Sequence, residues 1–481
     1  MPSQVARAYQ EFFVDGEWRE PSTNAVFDVR SPHDGTHVGV APAASPADID
    51  AAVAAARRAF DEGPWPRMTV AERVAALAPF VEKYGSRTTE MAELVTAEMG
   101  SPHWFSDSAH GIGPFILMQQ TMEFAATYDW SERRGSSMLI REPVGVVGVI
   151  TPWNVPQVTI LAKLFPALVA GCCVVVKPSP ETPLDGMLLA TMLADADLPP
   201  GVVVVLPGGA DAGRQLVGHP VVDKISFTGS SDVGRAIAKT CADRFARCSL
   251  ELGGKSAAIV CEDASLERTV AGLRFSSFLN NGEACVAQSR ILAPRSRYDE
   301  IVAALAEDVA GFVVGDPADP QTYVGPLVSA RQHDRVQSYL QVGVDEGATV
   351  ATGGPGPVEG LAGGHYVKPT VFRDVDNSMR IAREEIFGPV VVVIGYDDID
   401  DAVRIANDSP FGLGGSVWTK DRHEGLAIAR RVRTGMFGIN SFAPEFGVPF
   451  GGFKASGIGR EYGPEAFDSF VEIKSVYGLP A

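Results

Sequence analysis

The chain has 481 residues, 46% of them hydrophobic and 21% charged, and a formal net charge of -18. This is the composition of a globular protein long enough for two large domains, and no window approaches the ~20 uninterrupted apolar residues of a membrane span. The negative charge opposes nucleic acid and anionic membrane as partners, because binding phosphate requires clustered Lys and Arg.

The opening stretch MPSQVARAYQEFFVDGEW has neither the basic flank and apolar core of a secretory signal nor the arginine-rich character of a transit peptide, so a cytoplasmic location is expected. The N-terminal third reads as mainly helical, as in ADIDAAVAAARRAFDEG and AERVAALAPFVEKYG, and should pack over a sheet formed later in the chain. YDWSERRGSSMLIREPVG then looks like an exposed strand with polar interruptions. From about residue 144, apolar runs alternate with helical stretches: GVVGVI, CVVVKPS, GVVVVLPGG and DKISFTG, each followed by a helix. Continuous rather than alternating apolar strands mark a parallel sheet covered on both faces, which implies a doubly wound α/β domain. A second series begins at Ser256–Val260 and continues through SRILAPR, VVVVIGY and GGSVWTK, while GGPGPVEGLAGG between them reads as a surface loop. The tail SFVEIKSVYG again looks like an exposed strand. Exposed edges find partners, so this tail and the earlier polar strand are assigned to subunit association.

The expected fold is therefore α/β, two doubly wound Rossmann-like domains with a small β oligomerisation arm. The expected boundaries are 1–122 with 144–252 for the dinucleotide-binding domain and 253–445 for the catalytic domain. Segments 123–143 and 462–481 form the arm, and 446–461 is a loop returning to the first domain. Six cysteines form no CxxC pair and eight histidines show no ligand spacing, so neither a metal site nor a disulfide framework is expected.

Four constellations carry possible chemistry. Phe227-Thr228-Gly229-Ser230 places a glycine turn before a helix, where free N–H groups and the positive dipole end suit a pyrophosphate; a plain helix cap is the other reading, and the GxGxxG fingerprint is absent. Lys177 and Ser179 follow an apolar strand, where open sheets bind ligands, although an ordinary solvated lysine fits as well. Glu251 in ELGGK could activate water or be a surface glutamate. Five cysteines sit in apolar or helical contexts, whereas Cys285 follows the glycine-containing turn Asn280–Ala284, a setting open to a nucleophile.

These motifs resemble, together and in order, those of the aldehyde dehydrogenase superfamily: TPWNVP (Thr151–Pro156), KPSPETP (Lys177–Pro183), FTGS (Phe227–Ser230), ELGGKS (Glu251–Ser256), GEAC (Gly282–Cys285), EEIFGPV (Glu384–Val390) and PFGGFKASGIGRE (Pro449–Glu461). Within it, KPSPETPLDGMLLATMLADADLPPGVVVVLPGG resembles the actinobacterial branch of geranial-type dehydrogenases. The resemblance implies oxidation of an aldehyde to its acid, with Cys285 as nucleophile, Asn154 and the Cys285 N–H as oxyanion donors, Glu251 activating water, and Lys163 near the active site. It also implies contacts to NAD, with NADP possible, from Thr151, Trp153, Lys177, Ser179, Gly209, Phe227, Gly229, Ser230, Val233, Leu252, Glu385 and Phe387, and a homodimer or homotetramer.

Three departures qualify this pattern. Pro180 stands where NAD-preferring relatives commonly carry a ribose-binding glutamate, with Glu181 one step later. Glu283 replaces a glutamine and is expected to point outward into solvent. Val155 and Ala162 replace bulky aromatic residues, which implies a wider apolar tunnel. Retention of Glu251 argues against a CoA-acylating relative, and the complete Asn154, Glu251 and Cys285 set argues against a catalytically silent scaffold.

Overall fold

The computed structural model describes residues 7–479; Met1–Ala6 and Pro480–Ala481, the outer ends of the first domain and the arm as expected above, lie outside them. The runs of valine form what their continuous hydrophobicity dictates. CVVVK (Cys173–Lys177) and VVV (Val203–Val205) are buried along their whole length, as is Val146–Ile150 between them and the rest of the sheet. They belong to an eight-stranded sheet ordered Gly457–Ile458, Arg247–Glu251, Lys224–Thr228, Val146–Ile150, Cys173–Lys177, Val203–Val205, Phe12–Val14, Glu17–Arg19, whose five central strands are parallel. The chain enters at Val146–Ile150, builds outward on one side and then returns to build on the other. This reversal of strand order creates the crevice in which open α/β sheets hold ligands. The register aligns Ile150 with Lys177 and with Phe227, and Thr228 with Glu251, so the carboxyl ends form one rim.

A second, seven-stranded sheet runs Thr349–Thr352, Thr370–Arg373, Val390–Tyr396, Arg290–Pro294, Ala257–Val260, Gly415–Trp418, Gly438–Ile439, parallel except at its first pair. Both parallel-rich sheets agree with the expected α/β class. Residues 353–364 have no regular structure, as the glycines suggest. The two polar segments are strands as expected and pair within the chain, Ser131–Arg134 and Val471–Val476 flanking Ser137–Pro143 in a three-stranded antiparallel sheet.

The N-terminal third departs from its mainly helical reading. Its helices are present and well capped: Pro46–Asp61 and Val70–Gly85 each start with a capping box, Ser45 with Asp48 and Thr69 with Glu72. Five short strands precede them. Phe12–Val14 and Glu17–Arg19 extend the eight-stranded sheet through a tight hairpin in which Asp15 and Gly16 have φ of +58° and +80°. Asp-Gly between apolar and aromatic residues is a hairpin signal, but strands of three residues are too short to show a period. Among the described residues no helix is long and apolar enough to cross a membrane.

Helix Leu266–Phe278 lies against the second sheet at Gly272, where a Cβ would stand 2.0 Å from the Trp418 ring. Trp418 is itself 2% exposed and has nowhere to retreat. Gly272→Ala should therefore destabilise the protein by about 1–3 kcal/mol despite the better helix propensity of alanine, read as a lowered Tm.

Candidate active site

Cys285 is delivered by a strained turn. After helix Leu266–Phe278, the residues Asn280, Asn281 and Gly282 take φ of +50°, +60° and +71°. Asparagine tolerates this region better than most residues, and Gly282 has no alternative, since a Cβ there would lie 2.2 Å from the Gly388 carbonyl. Asn281 anchors the turn: Nδ2 donates to Gly100 O at 3.0 Å and Pro326 O at 2.9 Å, and Oδ1 accepts from Gly325 N at 2.7 Å. Asn280 Nδ2 donates to Asn154 O at 2.8 Å, while Asn154 Nδ2 donates to Glu283 O at 2.8 Å. The Asn154 and Cys285 loops are thereby stitched together. Neither Asn280 nor Asn281 was given a role by the sequence reading, although paired asparagines before a glycine are a signal for left-handed backbone.

Around the thiol lies an apolar cluster that includes Phe105, Val155, Leu413, Met436, Phe442 and Phe450. Val155 lies where its motif position implied, whereas Ala162 packs in the core of the first sheet, because helix Pro156–Ala170 is buried on nearly every face. Glu251, at the end of its strand, is 3% exposed and neither of its carboxylate oxygens is hydrogen-bonded. Lys163 is fully buried, its Nζ donating to Thr228 Oγ1 and Glu461 Oε1, each at 2.6 Å. Glu461 was read only as the last letter of a motif. Its backbone pairs in both directions with Phe450, at 2.8 and 2.7 Å, and this brings its carboxylate to Lys163.

The remaining residues singled out by motif lie at or beside the carboxyl ends of the first sheet's strands and on the loop around Phe387. Lys177 is not a solvated lysine: it is buried and donates to Pro178 O at 3.0 Å and Gly208 O at 2.7 Å, and burial pushes its pKa down to about 8. Ser179 Oγ donates to Glu181 Oε2 at 2.6 Å, and Arg331 holds the other oxygen of Glu181 at 2.8 Å. Gly209 precedes helix Ala210–Gly218 with nothing within 4 Å of the place a Cβ would take. Ser230 does cap helix Ser231–Asp243, accepting from Val233 N at 3.5 Å, and half-exposed Val233 stands on its first turn. Phe227 fills the space under Gly229, where a Cβ would meet the ring at 2.5 Å. Leu252 packs on Gly234 in the same way, and the Thr151 hydroxyl is buried without a partner.

Trp153 meets Phe387 edge-on, their ring centroids 5.5 Å apart. Phe387 has φ of +66°, and helix Ala330–Asp345 clamps its loop: Gln332 donates to Phe387 O at 2.6 Å, and Arg335 donates to Ile386 O at 3.3 Å and Glu385 O at 2.6 Å. Gln332 and Arg335 were missed by the sequence reading, since ordinary polar residues on a surface helix carry no local signal. Glu385 Oε1 accepts from Gly254 N at 2.8 Å, and Gly253 leaves room for the carboxylate, which a Cβ would approach to 2.3 Å.

The chain matches the description Aldehyde dehydrogenase family over residues 18–476. It is similar to the geranial dehydrogenase of Castellaniella defragrans, 45% identical over 98% of this chain and 99% of that protein. It superposes on an aldehyde dehydrogenase of Mycobacterium tuberculosis complexed with NAD+, with a TM-score of 0.97, 48% identity and 99% of each chain covered. A Pseudomonas syringae aldehyde dehydrogenase complexed with NAD+ and octanal is similar at a TM-score of 0.94 and 38% identity, over 100% of this chain and 98% of that one. The chain belongs to the aldehyde dehydrogenase family.

The electrostatics of this aldehyde dehydrogenase keep its thiol protonated at rest. Burial, then the carboxylates of Glu385 and Glu251, push Cys285 up to about 12. Burial and Glu461 also hold Glu251 well above the usual carboxylate range, against the pull of Lys163 and Arg460. Burial pushes Glu385 up to about 7, opposed by the Gly254 N–H and Lys255. The outward, solvated Glu283 expected from sequence is corrected: its side chain is fully buried, Oε1 accepting from Val328 N at 3.3 Å, and burial raises its pKa well above normal.

Below its pKa, each unit by which a thiol pKa falls raises the thiolate fraction about tenfold. Inactivation by iodoacetamide should accordingly climb through the alkaline range without levelling off. Glu385→Gln, which removes a negative charge facing the sulfur above neutral pH, should accelerate it at a given alkaline pH; an unchanged pH–rate profile would contradict the assigned cause.

Proposed function

We propose that the chain is a cytoplasmic homo-oligomer that oxidises a bulky, apolar aldehyde to its carboxylic acid with NAD+, through a thioester on Cys285. The observation that carries this reading is the joining of the Asn154 and Cys285 loops inside an apolar cluster, with the unpaired carboxyl group of Glu251 acting on the same thiol. The eight-stranded sheet supplies the cofactor unit and the seven-stranded sheet the catalytic unit, divided near residue 252, with 446–461 returning to the first through Gly457–Ile458. Ile473 and Tyr477, 61% and 78% exposed at the end of the antiparallel arm, are the apolar surface such an arm offers a second subunit.

The donor set suits a dinucleotide. Lys177 and Gly209 would hold the adenosine ribose, and the capped N-terminus at Ser230 the pyrophosphate, beside Gly229 and Val233. Glu385 and Phe387 would hold the nicotinamide ribose and ring, with Thr151, Trp153 and Leu252 on the facing wall. When bound, the nicotinamide accepts hydride. With Pro180 in place of a ribose carboxylate, and with Glu181 already held by Ser179 and Arg331, repulsion of a 2′-phosphate is weak, so slower use of NADP accompanies NAD.

Chemistry begins with loss of the Cys285 proton, which Glu251 accepts once it is ionised. The thiolate adds to the aldehyde carbonyl. The developing oxyanion is met by the Asn154 side-chain amide, which has a second N–H beyond the one given to Glu283 O, and by the Cys285 N–H. Without that addition the aldehyde has no hydride it can readily give up. The resulting thioester is then hydrolysed by water that Glu251 deprotonates, and Lys163 favours the ionised form of Glu251. The apolar wall of Phe105, Val155, Met436 and Phe450 would receive a branched or long hydrocarbon.

The decisive experiment is reduced-cofactor absorbance over an aldehyde panel with NAD and NADP in parallel and without CoA. Acid should form without CoA, faster with a terpenoid or long-chain aldehyde than with acetaldehyde. Cys285→Ala should lose ~10³-fold or more, and Asn154→Ala on the order of 10²- to 10³-fold in kcat. Glu251→Gln should remove the rapid first turnover of reduced cofactor and slow release of the acid, because both the thiol and the attacking water lose their base. Acyl transfer that requires CoA, or full turnover by Cys285→Ala, would overturn the reading. A separate series tests the apolar wall: Val155→Phe should raise KM for bulky aldehydes several-fold while sparing acetaldehyde.

A further inference from the structure

Close to Lys177, a carboxylate and a guanidinium from distant parts of the chain meet. Glu181 stands in the turn between strand Cys173–Lys177 and helix Pro183–Ala194, and Arg331 is the second residue of helix Ala330–Asp345, 150 residues later. Arg331 Nη2 donates to Glu181 Oε1 at 2.8 Å, and Ser179 Oγ donates to Glu181 Oε2 at 2.6 Å. Each oxygen of the carboxylate is thereby engaged, and Pro180 between Ser179 and Glu181 offers no side-chain acceptor of its own.

The two partners differ in freedom. The Glu181 side chain is 22% exposed and is held by the buried Ser179, whereas that of Arg331 is 81% exposed. An ion pair this open to water is weak, so the guanidinium can leave the carboxylate for a stronger acceptor. A phosphate monoester is one: it carries more charge than a carboxylate, and the arginine fork matches the geometry of its oxygens. The base of the side chain is fixed, because Ser329 caps the helix by accepting from Gln332 N at 3.3 Å, and Gln332 and Arg335 fasten it to the carbonyls of Phe387, Ile386 and Glu385. Lys177 adds a second cation. Its Nζ gives two N–H groups to Pro178 O and Gly208 O, which leaves a third, and the Glu181 carboxylate favours its charged form against burial.

We propose that Arg331 and Glu181 set the preference between the two dinucleotides, with Arg331 binding the 2′-phosphate of NADP and Glu181 competing with that phosphate for the guanidinium. This rests on the placement of the adenosine ribose at Lys177 proposed above. With a free ribose diol the ion pair stays closed. A 2′-phosphate instead draws Arg331 away and leaves the Glu181 carboxylate on Ser179 alone, so NADP binds against the loss of one ion pair. Substitutions at the two ends then act in opposite directions: without the guanidinium an uncompensated carboxylate faces the phosphate, and without the carboxylate charge the guanidinium is free to bind it. A pair that only buttressed the fold would affect both cofactors alike when cut from either end.

The test is isothermal titration calorimetry of the full-length protein with NAD+ and NADP+, and with ADP-ribose and its 2′-phosphate, so that binding is read without turnover. Arg331→Gln should raise the ratio of the NADP+ to the NAD+ dissociation constant about tenfold, the worth of one hydrogen bond to a charged group. Arg331→Lys should recover part of that loss, and Glu181→Gln should lower the ratio about threefold or more. The ADP-ribose pair should follow the same order. The proposal is overturned if either glutamine variant, folded by circular dichroism and able to bind NAD+, leaves the ratio where it was, or if both move it the same way. Failure of the unsubstituted protein to bind either dinucleotide is a different result: it removes the cofactor site itself, and this inference with it.

Discussion

The arrangement of this enzyme depends on one short piece of backbone held where most residues would not stay. Asn280, Asn281 and Gly282 follow one another in the left-handed region, and such positions cost of order 1–3 kcal/mol each for a residue with a side chain. The cost is met locally, since Asn281 makes three hydrogen bonds to backbone groups from two distant segments and each contributes roughly 1 kcal/mol net. Because the turn is sharp, the helix before it and the thiol after it are fixed relative to each other. The Asn280 side chain extends the constraint to the Asn154 loop at the rim of the other sheet. The proposed nucleophile and oxyanion donor therefore come from two different sheets yet are tied together by a single asparagine amide.

The same division explains which parts were legible in the sequence. Strands buried on both faces have a composition that states their environment, so Cys173–Lys177, Val203–Val205 and Val390–Tyr396 could be read directly, and the motifs at their carboxyl ends placed Lys177, Ser230 and Glu251 on one rim. Contacts made by ordinary residues across long sequence distances leave no such trace. Glu461 reaches Lys163 only because the 446–461 segment folds back onto the first sheet, and Gln332 and Arg335 reach the Phe387 loop from a helix with an unremarkable polar face. Glu283 was misplaced because its charge suggested water, whereas its side chain is buried against Val328 N. The N-terminal strands were missed for want of length, not of signal, since Asp15-Gly16 marked the hairpin.

Burial of acidic groups then sets the protonation of the site. Glu251, Glu283 and Glu385 are all pushed upward by loss of water, and the buried ammonium of Lys163 is hydrogen-bonded to Glu461 and Thr228 rather than to any of them. A buried anion without a partner costs several kcal/mol, so burial shifts each of these carboxyl groups towards its protonated form. The consequence differs for each acid. Glu283 faces Val328 N, away from the reaction, and can remain neutral throughout. Glu251 has no hydrogen bond to either oxygen, so its charge is set by burial and Glu461, which oppose ionisation, against Lys163 and Arg460, which favour it. A group balanced in this way suits the proton exchange with thiol and water proposed for Glu251, which a carboxylate locked in a strong ion pair could not perform. Burial thus favours the protonated form of both the Cys285 thiol and the Glu251 carboxyl group, and a thiol is a far poorer nucleophile than its thiolate.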